Sequence, residues 1–319
     1  MNSVFKKNAL LAFLSFSQTF IFGQVEKNIA IAAPPDSIYG TLLLDTSSKE
    51  KILCILHAGS GPTDRNCNSA LGLETNAFKK LADSLSKRNF SSFRFDKRGI
   101  GESKHALERA DSFSIEGYVN DLKNIIDHFS DKKYGFKKII LIGHSEGALI
   151  STLAAENNNK VSKLILLAGA GYRADTVIKR QLASVQVDAK KIIYSIMDTL
   201  AKGKKVENIP PALSSLFRES VQGYMISWIK YDPSEELAKL KIPVFIVQGG
   251  TDIQVSEDDA NRLKQHCKDC RMVLIRDMNH ILVSAPADKK ENKKTYTNPD
   301  LPLHILLIPA LDSFISGKP

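Results

Sequence analysis

The sequence predicts an α/β domain: a mostly parallel central sheet flanked by helices, with a helical insertion interrupting it. Three observations carry that prediction. Short continuous apolar runs, such as Lys51–His57 (KILCILH) and Ile242–Gln248 (IPVFIVQ), suit strands buried on both faces. Stretches with apolar residues at helical spacing alternate with those runs. The alternation then fails between 171 and 240, where the pattern is helical and strandless. The chain has 319 residues, enough for one large α/β domain with an insertion.

In chain order, Asn28–Ala33 and Tyr39–Leu44 read as two strands joined at Pro34-Pro35-Asp36. Lys51–His57 is a buried strand that ends in a glycine-rich loop. Thr75–Lys87 places Ala77, Phe78, Leu81, Ala82 and Leu85 on one helical face, and Ser91–Phe95 is the next strand. Ser114 is a helix N-cap ahead of the stripe Ile115, Tyr118, Val119, Leu122, Ile125, Ile126 and Phe129. Lys138–Ile142 is a strand, Gly147–Ala155 a helix and Val161–Ala168 a strand. After the insertion come the strand Ile242–Gln248, a helix around Asp258–Gln265, the strand Arg271–Ile275 and a closing helix within Leu303–Ile315. The charged span Asp288–Asp300 reads as an exposed loop.

The first 23 residues read as a secretory signal peptide. Lys6 and Lys7 form a charged start, Ala9–Phe22 is apolar, and Gly23 supplies a small residue before Gln24. Residues 24–170 and 241–319 then make the core, and 171–240 the insertion as a cap. The expectation is an exported protein, periplasmic or extracellular, with no stable membrane span once the leader is gone. Net charge is +9, but it is dispersed, and the local runs at 202–205 and 289–294 read as solvated faces. No basic run is interleaved with aromatics, so no nucleic-acid partner is expected. Of four cysteines, Cys54 lies in an apolar run, and Cys267 and Cys270 form a lone C-x-x-C. A single pair without a second at ligand spacing argues against zinc, leaving a local disulfide or two thiols.

The chemistry concentrates at Gly143-His144-Ser145-Glu146-Gly147, a G-x-S-x-G between a strand and a helix. A nucleophile on such a bend needs small neighbours two residues away on either side. The helix N-terminus behind it aims free N–H groups at a developing oxyanion. A serine hydroxyl also needs a base. His280 follows the last strand and is the expected general base, and Asp252 follows the strand before it and is the expected partner of the imidazole. Asp277 is a rival acid, read instead as a turn or cap residue. His57, His105, His128, His144, His266 and His304 are rival histidines; His144 adjoins the serine and is expected to point its side chain away from the attack line. The two oxyanion donors are expected to be the backbone N–H groups of Glu146 and of Ser60, the latter in Ala58-Gly59-Ser60-Gly61-Pro62.

With these residues in view, the chain from Ile52 to Ile281 resembles α/β-hydrolase carboxylesterases, especially a bacterial branch with a G-S-G-P-x-D-R-x-x-N loop. Residues Gly59-Ser60-Gly61-Pro62-Thr63-Asp64-Arg65-Asn66-Cys67-Asn68 carry that loop, and Phe95-Asp96-Lys97-Arg98-Gly99-Ile100-Gly101-Glu102-Ser103 is similar to the family's D-x-R-G-x-G-x-S loop. The resemblance implies hydrolysis of small acyl esters with no metal and no organic cofactor. The expected function is a serine hydrolase acting on small or medium acyl esters through an acyl-enzyme, with a small-molecule ester as its partner. Amide, peptide or thioester hydrolysis by the same triad, a peroxidase-like hydrolase, and a catalytically silent binding protein are the alternatives. Leu216, Phe217, Met225, Ile226 and Trp228 of the insertion either line an acyl pocket or pack the cap. Oligomeric state is left open.

Overall fold

The computed structural model describes residues 24–106, 113–183 and 185–317, so the expected leader at 1–23 lies outside the described residues. Eight strands form one sheet: β1 (Gln24–Ala33), β2 (Asp36–Asp45), β3 (Ile52–His57), β4 (Ser91–Phe95), β5 (Lys138–His144), β6 (Val161–Leu167), β7 (Val244–Gly249) and β8 (Cys270–Ile275). Their spatial order is β1-β2-β4-β3-β5-β6-β7-β8. β1 pairs antiparallel with β2, and β2 antiparallel with β4. Every pairing from β4 to β8 is parallel. All six residues of β3 and of β7 are buried, as continuous apolar runs require.

Alternation along each strand feeds two cores. Leu53, Ile55, Leu141, Leu164 and Leu166 face a cluster shared with α2 (Ile115–Phe129), α3 (Glu146–Ala155) and α9 (Glu257–His266). Ile140, Ile142, Ile165 and Leu167 face the opposite cluster, with α1 (Ala77–Ser86) and α11 (Leu307–Ser316). Each fully buried Leu or Ile stabilises the fold by about 1.5–3 kcal/mol, so both faces are strongly committed. Ser114 does cap α2, its side chain accepting from the Gly117 N–H.

Between β6 and β7 lie α4 (Ala174–Gln181), α5 (Val187–Leu200), α6 (Ser214–Phe217), α7 (Glu219–Ile229) and α8 (Pro233–Ala238). Ile193, Ile196, Met197 and Leu200 recur at helical spacing on α5 and pack with Phe217, Met225 and Ile229 into a core of their own. α8 is tied to the main body: Arg262 of α9 donates through both NH groups to the Asp232 carboxylate, each at 2.9 Å.

One element departs from expectation. Asp288–Asp300 is not a plain loop: it contains α10 (Lys289–Lys294) and a short 3₁₀ turn over Thr295–Thr297. Asp288 caps α10 by accepting from the N–H groups of Lys290 and Glu291, and Asn292 is drawn fully inside. Cys267 and Cys270 are joined as a disulfide, while Cys54 and Cys67 are free and buried. Among the described residues, no helix is long and apolar enough to cross a bilayer.

Candidate active site

Ser145 stands between β5 and α3 with φ 55° and ψ −120°, a region that a residue bearing a Cβ occupies at a cost. Its N–H donates to the Leu167 carbonyl at 2.9 Å, which holds the bend against β6. A Cβ at position 143 would lie 2.2 Å from the Gly147 oxygen, and one at 147 would lie 2.3 Å from the His57 oxygen. Both glycines are therefore dictated by close backbone approach at the elbow.

Two loops at the carboxyl ends of the next strands bring in the other expected residues. Asp252, after β7, accepts at Oδ1 from the N–H groups of Gln254 (2.7 Å) and Val255 (3.0 Å). Its Oδ2 accepts from His280 Nδ1 at 2.8 Å. The His280 side chain is 5% exposed and that of Asp252 0%, so the pair is almost wholly shielded from water. Burial pushes the Asp252 carboxyl up, but the neighbouring His280 and the three hydrogen bonds outweigh it and hold the acid below its ordinary range. With Nδ1–H committed to Asp252, a neutral His280 keeps its lone pair on Nε2. Ser145 and His280 line one cavity of about 100 Å³.

The sequence reading missed the support behind His280. Asn279 and Asn292 are both fully buried. Asn279 Oδ1 accepts from the N–H groups of Ile281 and Val283, and its Nδ2 donates to Asn292 Oδ1 and Thr295 Oγ1. Asn292 Nδ2 in turn donates to the Thr251 carbonyl at 2.8 Å. One amide pair thus links the loop of the base to the loop of the acid, through α10. The adjacency of Asn279 to His280 was the only hint of this in the chain, and nothing local marked Asn292.

His144 packs against the candidate base: its Nε2–H donates to the His280 carbonyl at 2.7 Å, and the two rings lie 4.7 Å apart. Burial, reinforced by the His280 charge, pushes the His144 pKa down to about 3, so the ring is neutral near pH 7. Asp277, the rival acid, is engaged elsewhere, accepting from His304 Nε2 at 3.0 Å. His57 is buried under the elbow, its pKa also pushed down to about 3 by burial and by nearby Lys97.

The two sequence-motif loops lock to each other beside Ser145. Arg65 donates from NH2 to Asp96 Oδ2 at 2.6 Å and from its backbone N–H to Asp96 Oδ1 at 2.8 Å. Asp64 Oδ1 accepts from the N–H groups of Asn66 and Asn68, each at 2.8 Å, which curls the loop. No hydrogen bond among the described residues uses the backbone N–H of Ser60 or of Glu146. The Glu146 side chain is buried beneath the insertion and accepts from the Tyr224 hydroxyl of α7. Burial pushes this carboxyl up, against the opposing pull of Lys97 and Tyr224.

The cavity walls come from the main body rather than from the insertion. Thr75, Phe78, Gln254, Leu282 and Tyr296 line it with Ser145 and His280, and no described residue of 171–240 does. Phe217 and Met225 fill the insertion's own core, Ile226 and Trp228 pack against it, and Leu216 is exposed. Packing, not lining of this cavity, is what the four residues other than Leu216 do.

Comparison with known proteins agrees with this architecture. The family model described as serine aminopeptidase, S33, matches residues 71–225, a span that includes Ser145 but neither Asp252 nor His280. The chain is 24% identical over 266 residues to esterase EstD of Thermotoga maritima, covering 81% of this chain and 60% of that protein. It is 26% identical over 242 residues to the serine hydrolase BPHL of Mus musculus, covering 72% of each. Among solved structures, Est1E of Butyrivibrio proteoclasticus with ferulic acid bound superposes with a TM-score of 0.61 at 17% identity, over 91% of this chain and 98% of that one. The Pyrococcus furiosus esterase Pf2001 gives 0.57 at 16% identity, over 92% and 91%. A sheet with parallel strands from β4 to β8 and a serine on the turn after β5 give the chain the α/β-hydrolase fold, and the family model and relatives that it resembles are hydrolases and esterases.

Proposed function

We propose that this protein is a serine hydrolase that cleaves carboxylic esters of small or medium acyl groups through an acyl-enzyme. The observation that carries the reading is the buried 2.8 Å contact between His280 Nδ1 and Asp252 Oδ2, with His280 and Ser145 on the wall of one small cavity. In this reading His280 Nε2 takes the Ser145 proton as Oγ attacks the acyl carbonyl. The N–H groups of Ser60 and Glu146 receive the oxyanion, and both donors are otherwise unused among the described residues. The imidazolium, stabilised by the Asp252 carboxylate, protonates the departing alcohol. Water then repeats the relay in reverse and frees the acid. The cavity of about 100 Å³ favours short acyl chains. The N-terminal pattern Lys6, Lys7 and Ala9–Phe22 supports export as part of the same proposal.

The aminopeptidase description of the matching family favours amide hydrolysis as a second reading. A panel of p-nitrophenyl esters, aminoacyl anilides and acyl thioesters separates the two; ester preference is expected. Fluorophosphonate labelling tests the nucleophile. Wild-type protein is expected to label, and Ser145→Ala to lose both label and turnover. An unlabelled wild type, or equal labelling of the variant, ends the serine-hydrolase reading.

A further inference from the structure

We propose that Lys97 is a positioning residue for the oxyanion hole, its ammonium anchoring and polarising the peptide unit that carries the Ser60 N–H. The inference rests on the reading of Ser60 given above, and its test separates the two. Lys97 lies just past β4, in the Asp96-Lys97-Arg98-Gly99 loop, and is only 1% exposed. Its Nζ donates to the Gly59 carbonyl and, at 2.9 Å, to the Gly61 carbonyl. Those two oxygens flank Ser60. The strand-end loop they belong to runs directly against the nucleophile, since a Cβ at Gly59 would meet the Ser145 Cβ at 2.9 Å.

The Gly59 carbonyl and the Ser60 N–H are opposite ends of one planar peptide unit. Holding the oxygen fixes the direction of the N–H, because the unit turns as a plate. A cation on the oxygen also draws density from the amide and makes its N–H a stronger donor. The second bond, to Gly61, ties the peptide unit one residue further along to the same ammonium, and the unit between them is held at the Ser60 carbonyl, which accepts from Thr63 Oγ1 at 3.0 Å. Donors arranged before the charge develops are what make an oxyanion hole effective.

The surroundings fit a cation kept for this purpose. A buried ammonium costs several kcal/mol in lost hydration, and an apolar side chain could fill such a space more cheaply. Lys97 nonetheless directs its hydrogen bonds to backbone oxygens. Burial pushes its pKa down, opposed by Glu146 and by Cys67, and the face of Tyr118 lies 5.5 Å from Nζ. Glu146, the residue after the nucleophile, therefore sees the same charge from the other side of the elbow.

The experiment compares Lys97→Met, Lys97→Gln and Ser145→Ala with wild type on p-nitrophenyl acetate, alongside inhibition by a small trifluoromethyl ketone, which adds the serine to give an anionic hemiketal. Removing a whole oxyanion donor costs roughly 10²–10³ in kcat, so loss of its anchor is expected to lower kcat roughly 10–100-fold. KM should stay within about threefold, and ketone affinity should fall by the same factor as kcat/KM. A folded Lys97→Gln with kcat within about twofold of wild type overturns the proposal. So does a variant whose loss appears in KM alone with ketone affinity unchanged, the pattern of a purely structural residue. Should Lys97→Met fail to fold, Lys97→Gln, which keeps a donor without the charge, decides. Full turnover by Ser145→Ala would instead remove the underlying hydrolase reading, whatever Lys97 does.

Discussion

The helical insertion and the loops around Ser145 are built on opposite plans. The insertion, α4 to α8, is held by apolar packing: Ile193, Ile196, Met197, Leu200 and Phe217 form a core besides the two on either face of the sheet. The loops after β3, β7 and β8 are held by polar bonds: Arg65 to Asp96, Asn279 to Asn292, Asn292 to the Thr251 carbonyl, and His144 to the His280 carbonyl. The difference teaches how the molecule divides its labour. Apolar packing tolerates sliding and exchange of side chains, whereas hydrogen bonds fix direction, and direction is what the proposed proton transfer between Ser145 and His280 demands. The Tyr224 hydroxyl on Glu146 is a point at which the insertion reaches the elbow itself.

Three measurements sharpen or break this division. The largest effect is expected on the loop side. Asp252→Asn preserves shape but not charge, and is expected to lower kcat by roughly 10⁴-fold with little change in thermal stability. A variant retaining a tenth of wild-type turnover would show that the Asp252–His280 contact is not the engine. Next comes the insertion. Phe217 is fully buried, and Phe217→Ala is expected to cost about 3–5 kcal/mol against denaturant while leaving kcat for a short ester within a few-fold at low temperature. Collapse of kcat in the folded variant would mean that the insertion shapes the site directly.

The smallest effect is a pH dependence. His57 and His144 are buried with pKa values pushed down to about 3, from an unfolded value near 6.5. The unfolded chain binds protons that the native rings refuse, so stability is complete above about pH 6.5 and is lost as pH falls toward 3. Each ring contributes a slope of about 1 kcal/mol per pH unit in that window. The segment 171–240 contains no histidine, so this acid sensitivity belongs to the main body. Denaturant titrations at pH 7, 6 and 5 are expected to show the slope in wild type and about half of it in His57→Gln. An unchanged slope in that variant would remove His57 from the account.

Much of this was readable in the chain. The strands announced themselves because a strand buried on both faces must be apolar throughout, as at Ile52–His57 and Val244–Gly249. Ser145 was readable because close backbone approach leaves glycine the only choice at 143 and 147. Asp252 and His280 could be picked by their places after successive strands, since parallel strands deliver their carboxyl ends to one edge. Less readable was α10, whose run of lysines resembles a solvated loop until Asp288 caps it and Asn292 turns inward. His144 and Lys97 were unreadable as to role, because a charged or polar side chain next to a motif is ordinarily solvated.

By itself, then, the order of residues determined the layered sheet, the bend that carries the serine and the two candidates for its partners, because these follow from short-range rules: periodicity, glycine at tight approach, and position after a strand. Which side chains wall the cavity, what grips the imidazole from behind and where the Lys97 ammonium spends its hydrogen bonds were decided only by the folded chain. Those contacts join residues such as 97 with 59 and 292 with 251, and a bond across that much chain exists only once the sheet has brought its distant loops to one edge.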